Sequence, residues 1–341
     1  MRRLLFLVCL LALCTGLAHA APPASYFDAP KDEAPLAGGA RMITIDTPQG
    51  KFRVWTKRVG HNPKVKVLLL HGGPGATHEY FEVFDSFFPG QGIEYYYYDQ
   101  LGSAYSDQPK DDSLWDLSRF ADEVEQVRQA LHLDKDNFYL LGHSAGGAIA
   151  IEYALKYQQH LKGLIISDMM DSGPAYDAYA HKVLMPAMDQ SKLAQLKKLE
   201  AEGKTEDPAD MGILLPEHYE KHILRMPAAQ WPDPVLRALA HLNQQVYVSM
   251  QGPSELGIGG KMATWDRSKD LSKITVPTLV IGATYDTMDP KYMASMAKKL
   301  PQGRFLLCPN GSHLAMYDDQ QAYFTGLIKF IKDVDAGKAM R

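Results

Sequence analysis

The run Phe138-Tyr139-Leu140-Leu141-Gly142-His143-Ser144-Ala145-Gly146-Gly147 places a serine between glycines, after an apolar strand and before small residues suited to a helix start. A serine hydroxyl is presented for attack when a sharp strand-to-helix turn holds it at the tip, and flanking glycines permit a turn that a β-carbon would obstruct. Ser144 is therefore the candidate nucleophile. Such a serine needs a base to take its proton, an acid to hold that base, and backbone donors for the oxyanion that forms.

With this motif the partners follow in the order serine, acid, histidine, each in a loop after a later strand. Two loops qualify: Thr284-Tyr285-Asp286-Thr287-Met288-Asp289-Pro290, and Pro309-Asn310-Gly311-Ser312-His313-Leu314. His313 is the expected base, since it alone among the later histidines lies in a glycine-bearing loop directly after a predicted strand. His218, His222 and His241 fall on helical patterns, and His143 inside the turn suits a structural or substrate-facing role. Asp286 is favoured over Asp289 as the acid, because Asp289 precedes Pro290 where an aspartate ordinarily caps a helix. For the oxyanion, Ala145 offers the N–H after the nucleophile, and His71-Gly72-Gly73-Pro74-Gly75 offers a second donor, assigned to Gly73. No H-E-x-x-H motif or Cys/His cluster calls for a metal, and no cofactor is expected.

The elements that must position these residues read as alternating strands and helices. An antiparallel hairpin is expected over 42–45 and 52–55, followed by strands at 64–70, 93–98, 138–142, 161–167, 278–282 and 304–307. Helices are expected with the face Phe120, Val124, Val127 and Leu131, and over 145–157, 290–300 and 318–334. That rhythm implies an α/β fold with a mostly parallel sheet covered on both faces. It is set by residues 41–170 and 270–335. Between them, 171–269 shows helical patterns at 182–200, 216–225 and 234–247 and no convincing strand, as expected of a helical cap over the carboxyl edge of the sheet.

The chain has 341 residues, 46% of them hydrophobic and 22% charged, with a net charge of -4, so it reads as a soluble globular protein without the basic footprint of a nucleic-acid binder. Residues 1–20 stand apart. Arg2 and Arg3 precede an apolar run over 4–13, and Ala18-His19-Ala20 offers a small-x-small cleavage pattern, the marks of a secretory signal. The expectation is an exported chain, periplasmic or secreted, cleaved near Ala20, with a flexible lead-in over 21–40 and no stable membrane association after cleavage. Cleavage removes Cys9 and Cys14 and leaves Cys308, which follows an apolar run and reads as a buried small residue.

Taken together, the motifs resemble those of the proline iminopeptidases, cap-bearing α/β hydrolases that release N-terminal residues, typically proline, from peptides. The resemblance covers most of the mature chain. It rests on His71-Gly72-Gly73-Pro74-Gly75, on Tyr98-Asp99-Gln100-Leu101-Gly102 with Ser106, and on the serine turn. It rests also on Met250-Gln251-Gly252-Pro253-Ser254-Glu255, on Tyr285-Asp286 and on Gly311-Ser312-His313-Leu314. It implies an α/β-hydrolase fold with an inserted cap, catalytic roles for Ser144, Asp286 and His313, and a small peptide or amino-acid amide substrate with a free amine. Within it, Glu255 matches a cap carboxylate that grips the substrate amine, and a second carboxylate is expected near Glu217 and Glu220. Amino-acid amidases such as prolinamide hydrolases, and esterases or lactonases of the same fold, are the alternative activities. Ala145 departs from the family pattern, which often carries a large aromatic after the nucleophile.

Overall fold

The computed structural model describes residues 25–28, 37–205 and 207–338. Its framework is an eight-stranded sheet of β1 (Ala40–Thr47), β2 (Gly50–Val59), β3 (Lys66–Leu70), β4 (Glu94–Asp99), β5 (Phe138–His143), β6 (Gly163–Ser167), β7 (Thr278–Ala283) and β8 (Gly303–Cys308). The spatial order is β1-β2-β4-β3-β5-β6-β7-β8. β1 and β2 form the antiparallel hairpin and β2 joins β4 antiparallel, while every later pairing is parallel. β4, β5, β6 and β7 are buried along their whole length, which is why they read as continuous apolar runs; β1 and β2 alternate, as a half-solvated hairpin does.

Helices α1 (Leu117–Ala130) and α2 (Ala145–Tyr157) follow β4 and β5. They pack on one sheet face through Phe120, Val124, Val127, Ile149 and Tyr153. Asp116 caps α1 by accepting the Arg119 N–H at 3.1 Å. After β6 come five helices: α3 (Gly173–Tyr179), α4 (Gln190–Ala201), α5 (Pro208–Leu214), α6 (Asp233–Ala240) and α7 (Gln244–Met250). The chain then returns to the sheet with α8 (Pro290–Lys299), the single turn α9 (Ala315–Asp318) and α10 (Gln320–Asp335). The second sheet face carries the tight-helical segment His78–Ser86 and α10, with Phe87 stacked on Phe324 at 3.8 Å between ring centres.

Between β6 and β7 the structure differs in detail from the sequence expectation. The helix predicted over 182–200 is two pieces: wide and tight turns occupy Ala180–Leu184 and Met185–Ala187, and α4 begins only at Gln190. Pro186 cannot donate to an α-helical ladder, and the Asp189 side chain accepts the Ser191 N–H at 2.9 Å, starting a new helix. Likewise 234–247 divides into α6 and α7 because Asn243 caps α7. Helix α5 was not predicted, and the stretch 216–225 is a wide π-type turn over Leu215–Ile223. Cys308 is fully buried and free, and burial pushes its thiol up, so it is a packing residue. The leader over 1–20 lies outside the described residues.

Candidate active site

Ser144 stands between β5 and α2 with φ +54° and ψ -133°, in the left-handed half of backbone space. Three glycines make that turn possible. A β-carbon on Gly142 would lie 2.1 Å from the Gly146 carbonyl oxygen, one on Gly146 would lie 2.3 Å from that of Leu70, and one on Gly72 would press on the Ser144 side chain at 2.7 Å. β3 and β5 run side by side, so the ends of both strands meet where only hydrogen fits.

The acid and the base come from the two strands beyond. His313 Nδ1 lies 2.8 Å from Asp286 Oδ1, and both are buried. Facing a carboxylate, Nδ1 carries the proton, which leaves the Nε2 lone pair to accept one. Asp286 Oδ1 also accepts the Met288 N–H at 3.1 Å. The base loop is pinned to the Leu215–Ile223 segment, since His313 N–H donates to the His222 carbonyl at 3.0 Å and Leu314 N–H to that of Ile223 at 2.9 Å. Burial holds the His313 imidazole below its ordinary value, with Glu255 pulling the other way. Asp289 caps α8 by accepting the Lys291 N–H at 2.8 Å, the duty the sequence reading gave it.

Two backbone donors border this group. Gly72 N–H donates to the Tyr80 hydroxyl at 2.7 Å and is committed. Gly73, with φ +106°, lines the same cavity as Ser144, and Ala145 opens α2; among the described residues neither N–H has an acceptor. His143 is structural: Nδ1 meets the Tyr80 hydroxyl at 3.0 Å and Nε2 donates to the His313 carbonyl at 2.8 Å. It thereby ties the donor loop to the base loop.

Ser144, His313, Gly73 and Glu255 line one cavity of about 480 Å³, whose remaining wall is mostly apolar, with Leu214, Trp231, Val235 and Leu239 from the inserted helices. The Glu255 side chain accepts the Tyr247 hydroxyl at 2.8 Å, and no lysine or arginine pairs with it among the described residues. Its main chain is anchored: the Glu255 carbonyl accepts Tyr176 Oη at 2.6 Å, Thr287 Oγ1 at 3.1 Å and His218 Nε2 at 3.1 Å. Burial raises its carboxyl above the usual range, opposed by His313 and the Tyr247 hydroxyl.

Glu217 and Glu220, near which a second carboxylate was expected, lie away from the cavity. Glu217 pairs with Lys192 at 2.7 Å and Lys221 at 3.2 Å, Glu220 accepts the Ala228 N–H at 2.6 Å, and neither lines the cavity. The wide turn over Leu215–Ile223 explains this, since side chains there do not follow the spacing of a regular helix. Instead Asp210, on the unpredicted α5, reaches the cavity wall. It is buried, its Oδ2 has no partner, and burial followed by Glu200 and Asp207 pushes its carboxyl up to about 6. The only sequence signal for it was the Asp207-Pro208 helix start.

This geometry is that of an α/β hydrolase, and residues 66–320 match the family described as the alpha/beta hydrolase fold. The chain is 57% identical to the proline iminopeptidase of Flavobacterium johnsoniae, over 87% of this chain and 99% of that protein. It is 56% identical to that of Elizabethkingia meningoseptica, over 86% and 98%. A crystal structure of proline iminopeptidase from Mycobacterium smegmatis superposes with a TM-score of 0.76 at 25% identity, covering 87% of this chain and 99% of that one. The chain belongs to the proline iminopeptidase family of α/β hydrolases.

Proposed function

We propose that this chain is a serine exopeptidase that releases an N-terminal residue, preferentially proline, from small peptides through an acyl-enzyme on Ser144. The observation that carries the reading is Glu255, a carboxyl group that no lysine or arginine pairs with among the described residues, on the wall of the cavity that holds Ser144 and His313. In a peptide the N-terminal amine is two bonds from the first carbonyl carbon. A carboxylate that holds the ammonium therefore selects that carbonyl for attack and rejects blocked or mid-chain amides.

The steps follow from the donors and acceptors in place. His313 Nε2 takes the proton of Ser144 Oγ as the oxygen attacks the carbonyl, and Asp286 steadies the imidazolium through Nδ1. Gly73 and Ala145 N–H groups face the developing oxyanion, each donor being worth about 3 kcal/mol of transition-state stabilisation. His313 returns the proton to the departing amine. A water, activated by the same histidine, then releases the amino acid and restores Ser144. Asp210 gives the cavity lining a second acidic group.

The relatives named proline iminopeptidase support proline as the released residue. The cavity of about 480 Å³ has room for more than a single proline, as a peptide substrate needs. The second reading is amide cleavage: prolinamide hydrolysed in clear preference to Pro-Gly-Gly would displace the peptidase. The direct test is proline p-nitroanilide hydrolysis. Ser144→Ala should lower kcat by several orders of magnitude, because the triad acts as a unit; activity surviving that change contradicts the scheme. The reading includes export, supported by the Arg2-Arg3 start, the apolar run and Ala18-His19-Ala20. Amino-terminal sequencing of the protein recovered outside the cytoplasm should begin at Ala21, and an uncut Met1 start there speaks against it.

A further inference from the structure

The residue that follows β6 brings a second carboxyl group, Asp168, against the Asp286 of the His313 pair. Both side chains are fully buried and within hydrogen-bonding reach of each other. Asp168 has φ +51° and its N–H donates to the Ile281 carbonyl at 2.9 Å, so the backbone at the ends of β6 and β7 fixes the approach. The oxygens can be counted. Asp286 Oδ1 takes His313 Nδ1 and the Met288 N–H, and Asp168 Oδ2 takes the Ser167 hydroxyl at 2.6 Å. Asp168 Oδ1 and Asp286 Oδ2 are left, and among the described residues no N–H or O–H is hydrogen-bonded to either.

Two ionised carboxylates are acceptors only, so they cannot satisfy one another, and repulsion in a buried site forbids both charges. One proton between them resolves both problems. Burial raises both carboxyls. The proton belongs on Asp168, because His313 Nδ1 and the Met288 N–H bond to Asp286 and favour the anion there, whereas Asp168 has one neutral hydroxyl. Burial and then the charge of Asp286 act in the same sense on Asp168. Besides His313, the titratable groups facing the pair among the described residues are Tyr80, Tyr176, Tyr179, Tyr323, Cys308 and Asp318, none of them cationic.

We propose that Asp168 is a positioning residue that remains a neutral acid and donates its carboxyl proton to Asp286, holding the ionised oxygen of Asp286 toward His313. The inference rests on Asp286 being the acid partner of His313. It gives the loaded proton a purpose. Two negative charges below His313 would keep the imidazole protonated and useless as a base near neutrality, and none would leave the imidazolium without a counter-charge.

The test combines infrared spectroscopy with kinetics. In the whole enzyme labelled with 13C at aspartate carboxyls, a protonated-acid carbonyl band should be present at neutral pH and disappear in Asp168→Asn. That variant keeps an N–H donor and suits a positive φ, so its kcat should stay within about threefold of the parent. Asp168→Ala removes a hydrogen bond to a charged group and should lower kcat about ten- to a hundredfold, with KM little changed. Its acid limb should also move to higher pH, since Asp286 without its donor protonates more readily. A neutral-pH band unchanged in Asp168→Asn, an asparagine variant as slow as the alanine one, or an alanine variant equal to the parent would each overturn the proposal. The infrared comparison needs only the near-isosteric variant and decides even where the alanine protein is unstable. Full activity in Asp286→Asn would instead defeat the triad itself, a separate result.

Discussion

Glu255 shares one cavity with Ser144 and His313, and the proposed amine recognition rests on its charge. Glu255→Gln keeps the shape and the Tyr247 contact but removes the charge, so kcat/KM for proline p-nitroanilide should fall by roughly two to three orders of magnitude. Turnover of a simple p-nitrophenyl ester should be nearly unchanged, and an equal loss on both substrates would assign Glu255 a structural role. The pH profile has a direction too. His313 must be neutral to act, and burial lowers its pKa, so the ester reaction should stay active to pH values below the ordinary imidazole range. Glu255 must be ionised to hold an ammonium, and burial raises its pKa, so the acid limb for the amine-bearing substrate should carry an ionisation that the ester's lacks. Coincident acid limbs for the two substrates contradict that difference. Ser144, Asp286 and His313 were legible because each sits in a short loop directly after an apolar run. Asp168 and Asp210 were not: their significance depends on partners from elements distant in the chain, which spacing cannot reveal.

The turn around Ser144 shows how elements rather than residues set the site. Three chain segments approach within contact distance at Gly72, Gly142 and Gly146, and the Gly146 position would put a methyl group 2.3 Å from the Leu70 carbonyl oxygen. Gly146→Ala must therefore separate β3 from α2, lowering stability by about 3 kcal/mol or more and abolishing turnover even where the protein still folds. Thermal unfolding and p-nitroanilide assays of that variant check this, and a protein with parental melting and activity would show that the contact yields easily. The sheet strands were readable at the sequence level to within a few residues, since a buried parallel strand is a continuous apolar run. The inserted helices were readable only in outline. Pro186, Asp189 and Asn243 break them into pieces, and wide and tight turns erase the regular period on which helix reading depends.

Across the whole molecule, the inserted helices are held on the sheet by charge as well as apolar packing. Arg237 on α6 pairs with Glu79 at 2.7 Å and Glu82 at 2.5 Å, and His241 meets Glu79 at 2.7 Å, all beside the apolar cavity wall. Ser144, Asp286 and His313 come from the carboxyl ends of the strands, and Glu255 and Asp210 from the segment inserted between β6 and β7; Ser144, His313, Glu255 and Asp210 line one cavity. In the proposed reading the chemistry belongs to the sheet and the choice of substrate to the insertion. The comparison that bears on it most directly is kcat/KM for proline p-nitroanilide against its N-acetylated form. The free amine should be preferred by at least about a hundredfold, and equal cleavage of the two would contradict amine recognition at Glu255 and with it the exopeptidase.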